Sequence, residues 1–399
     1  MKILQVCSKT PLPPIDGGSI AMNILTTGLL KCGHDVHVLA ISTPKHLVDE
    51  KLIDKQLFEK TNYASVFIDT SVKPLNAFVN LFSNQSYNII RFYSKEFENV
   101  LIKTLSKNRY DIIHMETLWV APYIDVIRKH SIAKVVLRSQ NIEYLIWERL
   151  ATDCSNPIKK WYLKLLAKRL KKYEYDVLNK FDGIAAITDI DATHYKKMGA
   201  SIPIIHAPFG IDLEKYALDQ SLTEYPSIFH IGAMDWMPNS DGIKWFLNSV
   251  WNKVNERHPS VKLYLAGRHM PEWLMKVNQP NVVIEGEVPD AQKFINSKAI
   301  MIVPLASGGG MRVKIIEGMA LGKTIITTSV GSEGIAYEDE KNILVANTAE
   351  EFVKAIDKCL ADKIFYDLMG YNARKLIEQK YDNFVICTKL SDFYKSLIK

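Results

Sequence analysis

No apolar run in this sequence approaches the roughly 20 residues needed to cross a bilayer, so any meeting with a membrane is expected from its surface. Cysteine is scarce. Cys7, Cys32, Cys154, Cys359 and Cys387 are odd in number and nowhere in C-x-x-C spacing, which argues against a disulfide framework and a structural zinc site. Buried free thiols in a reducing cytosol are the simpler expectation. No His/Cys/Asp cluster has metal-ligand spacing, so no metal and no other cofactor is expected. No Ser-His-Asp arrangement can be argued, and no segment is of low complexity. Excess charge is small as well: 50 Lys plus Arg against 44 Asp plus Glu leaves +6. Dedicated nucleic-acid binders cluster a stronger excess, so nucleic acid is not an expected partner. The opening MKILQVCS is too short and too interrupted for a signal peptide and reads as a first buried strand.

What is present is ordinary globular material, 47% hydrophobic and 24% charged over 399 residues. That length predicts two domains, at roughly 150 residues each, with a third not excluded. Short β-branched runs alternate with helical stretches, the pattern of parallel sheets covered by helices. In the first half the runs are 2–7, 35–41, 111–114, 133–138 and 183–188. In the second they are 227–232, 261–267, 281–286, 299–305, 323–329 and 342–346. Helices are expected at 20–33, 242–257 and 311–322, with three more after residue 348. Each half opens with a strand, a Pro/Gly loop and an amphipathic helix. The expected fold is therefore α/β, two doubly wound Rossmann-like domains divided at 206/207, in the loop-like stretch 205–226. Open parallel sheets bind ligands beyond the carboxyl ends of their strands, which makes a cleft between two such domains the default site.

The strongest local signal is AIMIVPLASGGGMRVKIIEGMALGKTIITTSVGSEGI, 299–335. A buried strand runs into Gly308, Gly309 and Gly310, then straight into a helix. Glycines let backbone N–H groups approach a ligand closely, and a helix start favours phosphate. Arg312 and Lys314 fall in the first turn, where cations are disfavoured by the helix dipole; a bound anion resolves that conflict. Glu317 shares a face with Lys314 one turn deeper, where a carboxylate can accept from ribose hydroxyls. The plainer alternative is a glycine turn with a solvated Arg–Lys pair. This is neither a Walker A loop nor a first-strand G-x-G-x-x-G. Gly17 and Gly18, after Asp16 at the head of another helix, can hold an anion or sugar similarly, or simply form a turn. Arg268 is a further cleft cation by position. His114 and Glu116 sit two residues apart at a strand end, hence on one face. Arg138, Asn141 and Glu143 follow the next strand as acceptor candidates, with helix capping by Asn141 the other reading.

Taken together, residues 228–335 resemble the donor-binding half of glycosyltransferase family 4, a retaining, nucleotide-sugar-dependent family of GT-B fold. The matching pieces are IGAMDWMPNSDGIKWFL, LYLAGR, VIEGEVPD, the glycine segment above and FGID at 209–212. PPIDGGS, DIIHMET, SQNIEYLIWERL and FDGIAAITDID extend the likeness more loosely over the first half. The resemblance implies a GT-B arrangement, with an acceptor domain at 1–206, a donor domain at 207–382 and a last helix, 383–399, crossing back onto the first. It implies that Gly17, Gly18, Arg268, Glu287, Val288, Gly308, Gly309, Gly310, Arg312, Lys314 and Glu317 bind the donor, with backbone near 285–288 at the base and Glu317 at the ribose. Arg312 and Lys314 would stabilise the leaving diphosphate, and Glu116 is the third catalytic candidate. The sequence departs from the family in three places. The first of two family glutamates is Gly309 here. The stretch Ala233–Asn239 lacks the usual cations. Glu116 stands where a second His is common.

The segment 158–178 carries seven Lys/Arg before its first acid, Glu174. Lys160, Lys164, Lys168 and Lys171 lie at helical spacing with Trp161 beside them. A basic amphipathic helix of this kind lies on anionic membrane surfaces, or packs with a solvated basic face. The expected function is retaining transfer of a hexosyl group from a nucleoside diphosphate sugar to a hydroxyl of a lipid-linked or surface glycan. The expected location is cytoplasmic, peripheral to the inner face of the membrane. Two other classes remain open: an epimerase or hydrolase of the same fold, betrayed by release of sugar or epimer without acceptor, and a non-catalytic donor-binding subunit, betrayed by binding without turnover.

Overall fold

A computed structural model of the chain describes residues 1–14, 16–47, 55–308 and 311–399. These form two compact units, Met1–Gly210 with Asn383–Lys399, and Ile211–Asp382. The first is built on β1 (Lys2–Cys7), β2 (Asp35–Ser42), β3 (Ala64–Phe67), β4 (Ile112–Glu116), β5 (Lys134–Ser139), β6 (Gly183–Ala186) and β7 (Ile204–His206). All pair in parallel, in the order β3-β2-β1-β4-β5-β6-β7. Parallel neighbours need crossover helices, and helices on both faces bury the strands completely. Hence β4, IIHME, is buried at every position, its charged end included.

Helix Gly17–Lys31 follows β1 and starts in a capping box, with Asp16 accepting from the Ser19 N–H and Ser19 accepting from the Asp16 N–H. The last helix, Asn383–Ile398, packs against it. Cys387, Leu390 and Tyr394 share a core with Leu25 and Leu29, and Asn383 Nδ2 donates to the Ile24 carbonyl at 2.7 Å. The helix Glu143–Asp153 has no side-chain cap of its own. Glu174, from the long helix Pro157–Leu178, accepts instead from the N–H groups of Glu143 at 3.4 Å and Tyr144 at 3.2 Å.

The second unit holds β8 (Glu224–Ile231), β9 (Lys262–Ala266), β10 (Val282–Gly286), β11 (Lys298–Val303), β12 (Thr324–Thr327) and β13 (Leu344–Val345), again parallel, in the order β10-β9-β8-β11-β12-β13. The order reverses between β8 and β11, and this switch point opens a crevice beyond the strand ends. The single helix expected at 242–257 starts earlier, at Met237, because Pro238 suits a first turn. It passes through a π turn at Leu247–Trp251 that seats fully buried Trp251, whose Nε1 donates to the Pro280 carbonyl at 3.0 Å.

Candidate functional site

The carboxyl ends of β8, β9 and β10 and the helix after β11, Val313–Ala320, enclose a cavity of about 340 Å³. Gly232 and Ala233 come from the end of β8, Gly267 and Arg268 from β9, Glu287 and Val288 from β10, and Lys314 and Glu317 from the helix. Five of the expected donor residues, Arg268, Glu287, Val288, Lys314 and Glu317, thus line one cavity at the switch point.

Lys314 is held from two sides. Its Nζ donates to Asn239 Oδ1 at 2.8 Å and lies 3.5 Å from His230 Nε2. Asn239 is itself fixed, its Nδ2 donating to the Ala233 carbonyl at 2.8 Å. The cation-free stretch 233–239 therefore receives a cation from the helix across it. Gly232 makes this possible, since a Cβ there would collide with the Lys314 ammonium and Asn239. Burial, and then the Arg312 charge, push the Lys314 amine down to about 7, against an opposing pull from Glu317. Burial and the adjacent Lys314 hold His230 well below the usual imidazole range. Glu317 accepts from the Tyr216 hydroxyl at 2.8 Å; burial raises its carboxyl, with Tyr216 and Lys314 opposing.

Arg312 is the N-cap of the helix, and no side chain caps the N–H groups that follow. Its guanidinium lies over the Trp236 ring, 5.5 Å from the centroid. Both pack on Gly308, whose φ of +117° is left-handed and whose missing Cβ leaves room for Trp236 and Arg312. Gly309 and Gly310 lie outside the described residues. His230, Asn239, Tyr216 and Trp236 join this site without having been singled out in the sequence. A lone His in the apolar run SIFHIG was the one available signal for His230.

The first unit places its candidates differently. Glu116 and His114 are not at an open strand end; they are 1% and 0% exposed. Glu116 Oε1 lies 3.2 Å from His114 Nε2 and accepts from Gln5 Nε2 at 3.0 Å, and Thr26 Oγ1 donates to Gln5 Oε1 at 2.6 Å. His114 Nδ1 is bonded to the Tyr394 hydroxyl of the last helix. Burial would raise the Glu116 carboxyl, but His114, Arg138 and Gln5 together lower it. Glu116, the third catalytic candidate, thus sits in a polar network with His114, Gln5 and Thr26 in the sheet interior. β4 is a central strand, buried at every position. Arg138, 4% exposed, is likewise committed, donating to the carbonyls of Ala207 at 2.6 Å and Pro208 at 3.0 Å.

Asn141 caps no helix; the N-cap of the helix starting at Glu143 is Ile142. Glu143 is buried, and desolvation plus the neighbouring Glu174 raise its carboxyl. Gly17 and Gly18 open the first helix, where Lys9 Nζ sits 3.0 Å from Asp16 Oδ2 and His46 Nε2 2.8 Å from the same oxygen. On the long basic helix, Leu170 and Val177 are buried in the unit's core and Leu166 is buried as well, so that face is spent on packing. Lys160 donates to the Thr152 carbonyl at 3.0 Å and Lys171 pairs with Glu148 at 3.4 Å. Lys164, Lys168 and Trp161 are exposed. Among the described residues, no helix is long and apolar enough to cross a membrane, and no group of three His, Cys, Asp or Glu could hold a metal ion.

Two parallel-sheet Rossmann-like units, with a switch-point cavity lined by cations and a carboxylate, define a GT-B architecture. Residues 225–362, which contain the cavity, match the family described as Glycosyl transferases group 1, and the chain is accordingly a glycosyltransferase. It is 25% identical over 398 residues to an uncharacterized 44.6 kDa protein in the cps region of Klebsiella pneumoniae, covering 96% of this chain and 97% of that one. It is 27% identical over 205 residues to the capsular polysaccharide biosynthesis glycosyltransferase CapM of Staphylococcus aureus, covering 48% and 53%. The crystal structure of Anabaena HepE in complex with UDP superposes with a TM-score of 0.67 at 14% identity, over 99% of this chain and 100% of that one. That likeness concerns the fold.

Proposed function

We propose that the chain transfers a sugar, with retention of anomeric configuration, from a nucleoside diphosphate sugar to a hydroxyl of a capsular or other surface glycan carried on a lipid. The observation that carries this reading is the convergence of Lys314, Arg268 and Glu317 on one cavity, beside an uncapped helix start. The diphosphate lies against Gly308 and the N–H groups after Arg312, with Arg312 and Lys314 as counter-charges. Glu317 takes the ribose hydroxyls, and backbone near Glu287 and Val288 meets the base. The bond from the anomeric carbon to the diphosphate oxygen breaks. The acceptor oxygen then adds on the same face, and its proton passes to the leaving phosphate, so no protein nucleophile is required. HepE, similar in fold, is known with UDP, and CapM, similar over half the chain, is a capsular polysaccharide enzyme; both support the donor and acceptor classes. The solvated Lys164 and Lys168 support approach to an anionic membrane surface where a lipid-linked acceptor resides.

The test is a panel of nucleoside diphosphates titrated calorimetrically, followed by turnover of the matching nucleotide sugars with lipid-linked acceptor pools. Micromolar binding of one diphosphate and acceptor-dependent release of it is the expected result. Binding of none overturns the donor site. Release of free sugar or epimer without acceptor overturns the transfer.

A further inference from the structure

The helix Pro74–Asn80 is amphipathic the wrong way round. Leu75, Phe78, Val79 and Phe82 follow i, i+3, i+4, i+7 spacing, the pattern that normally faces a core. Here they are 73%, 59%, 61% and 82% exposed, and Val72 beside them is 61% exposed. The helix's one buried side chain is polar: Asn80, whose Oδ1 accepts from Arg169 Nη1 at 3.1 Å. Arg169, on the long basic helix, also donates to the carbonyls of Asn80 at 2.9 Å and Leu81 at 3.0 Å. The segment is thus pinned by its polar side with its apolar side outward, and Phe78 and Phe82 meet edge to face with centroids 5.7 Å apart.

Helical spacing puts Ile158, Leu165 and Lys172 on the Arg169 side of the basic helix, with Trp161 and Lys168 next to them. Ile158 and Trp161 are 78% and 59% exposed. Lys164 and Lys168 make no ion pair among the described residues. Lys172 pairs with Asp176 at 2.5 Å, so Lys164 and Lys168 are the uncompensated cations that border the apolar and aromatic groups. A second copy meeting this face across a two-fold axis would set cation against cation, whereas an anionic bilayer satisfies the lysines and offers hydrocarbon to the aromatics.

We infer that Val72–Phe82 is a hydrophobic anchor that enters the headgroup–acyl boundary of an anionic membrane, with Lys164 and Lys168 seated on the lipid phosphates. This deepens the lipid-linked-acceptor reading and rests on it. The basic helix supplies salt-sensitive attraction, and the inverted helix supplies the part of the binding that salt does not screen.

The experiment uses the full chain with vesicles of phosphatidylcholine alone or with about one-third phosphatidylglycerol, at low salt and at about 1 M salt, where the Debye length falls to about 3 Å. Phe78→Ser/Phe82→Ser should lower vesicle partitioning about tenfold or more at low salt and remove the remainder at high salt. Lys164→Glu/Lys168→Glu should lose only the low-salt component. Phe82→Trp should be quenched by lipids brominated on the acyl chain. Melting temperature and nucleoside diphosphate affinity should be unchanged in all three. Wild-type binding with no acyl-chain quenching at position 82 overturns the anchor but leaves charge-driven membrane attachment standing. No vesicle binding by the wild type overturns both. A concentration-dependent dimer lost in the Phe variant, without vesicle binding, assigns the face to a second copy and overturns the anchor.

Discussion

The Lys314 amine lies 3.5 Å from Nε2 of His230, and the other ring nitrogen of His230 is 2.8 Å from the Ile302 carbonyl. A carbonyl only accepts, so Nδ1 carries the proton and Nε2 turns a lone pair toward Lys314. That lone pair favours the ammonium form, but burial and the Arg312 charge outweigh it and hold the amine at about 7. A diphosphate favours the ammonium form, so binding at about pH 8 should take up close to one proton, and affinity should fall by up to about tenfold per pH unit above about 7. Calorimetry in buffers of different ionisation enthalpy measures this; Lys314→Met should remove the uptake. The stability of the free protein follows the opposite sense. The unfolded lysine, near 10.4, binds a proton that the folded one has lost, so stability rises with pH between about 7 and 10 and is lost as pH falls through 7.

Arg312→Ala and Lys314→Ala should each weaken nucleoside diphosphate binding by about tenfold or more, since a charge-assisted contact to phosphate is worth roughly 1.5–3 kcal/mol. Direct titration with the diphosphate that binds the wild type is the measurement. Equal affinity in both variants would remove the phosphate from this end of the cavity.

Glu317→Gln should cost nucleotide affinity more than stability. The Tyr216 hydroxyl can still donate to an amide oxygen, whereas an amide accepts more weakly than a carboxylate from two ribose hydroxyls. A large fall in melting temperature with unchanged affinity would make the residue structural.

Glu116→Ala should behave in reverse. It leaves Gln5 Nε2 and His114 Nε2 without their common partner inside the sheet, at a cost of roughly 2–4 kcal/mol. Chemical denaturation should show that loss, while turnover of the remaining folded protein stays within a few-fold of wild type. A normal denaturation midpoint with abolished turnover would return Glu116 to the chemistry.

The central strands were legible because burial on both faces demands unbroken β-branched runs; β1 matches residue for residue. β3 and β7 were not legible. ASVF and IIH are short edge strands, partly exposed, and carry too little apolar signal to separate from loop. In the site, Gly308, Arg312, Lys314 and Glu317 announced themselves by an electrostatic contradiction, cations at a helix start. His230 and Tyr216 did not, because each lies about 85 to 100 residues from its partner and only the sheet order joins them. The inverted helix at Pro74–Asn80 was invisible for another reason: its spacing is that of any packed helix, and only the polar grip of Arg169 reveals which side faces out.

The return of helix Asn383–Ile398 to the first unit sets an order of assembly. Tyr394 bonds His114, and Leu390 fills the core beside Leu25, so the first unit waits for a helix made after the whole of the second. The whole of Ile211–Asp382 emerges between its two parts, about 10–35 s of synthesis at 5–20 residues per second. The later-born unit is therefore the first that can close. Until Asn383–Ile398 emerges, the earlier one lacks that helix and exposes the apolar face of Gly17–Lys31. Shortening the carboxyl terminus should accordingly damage the opposite end of the sequence, and a chaperone bound during synthesis should be found on the first two hundred residues.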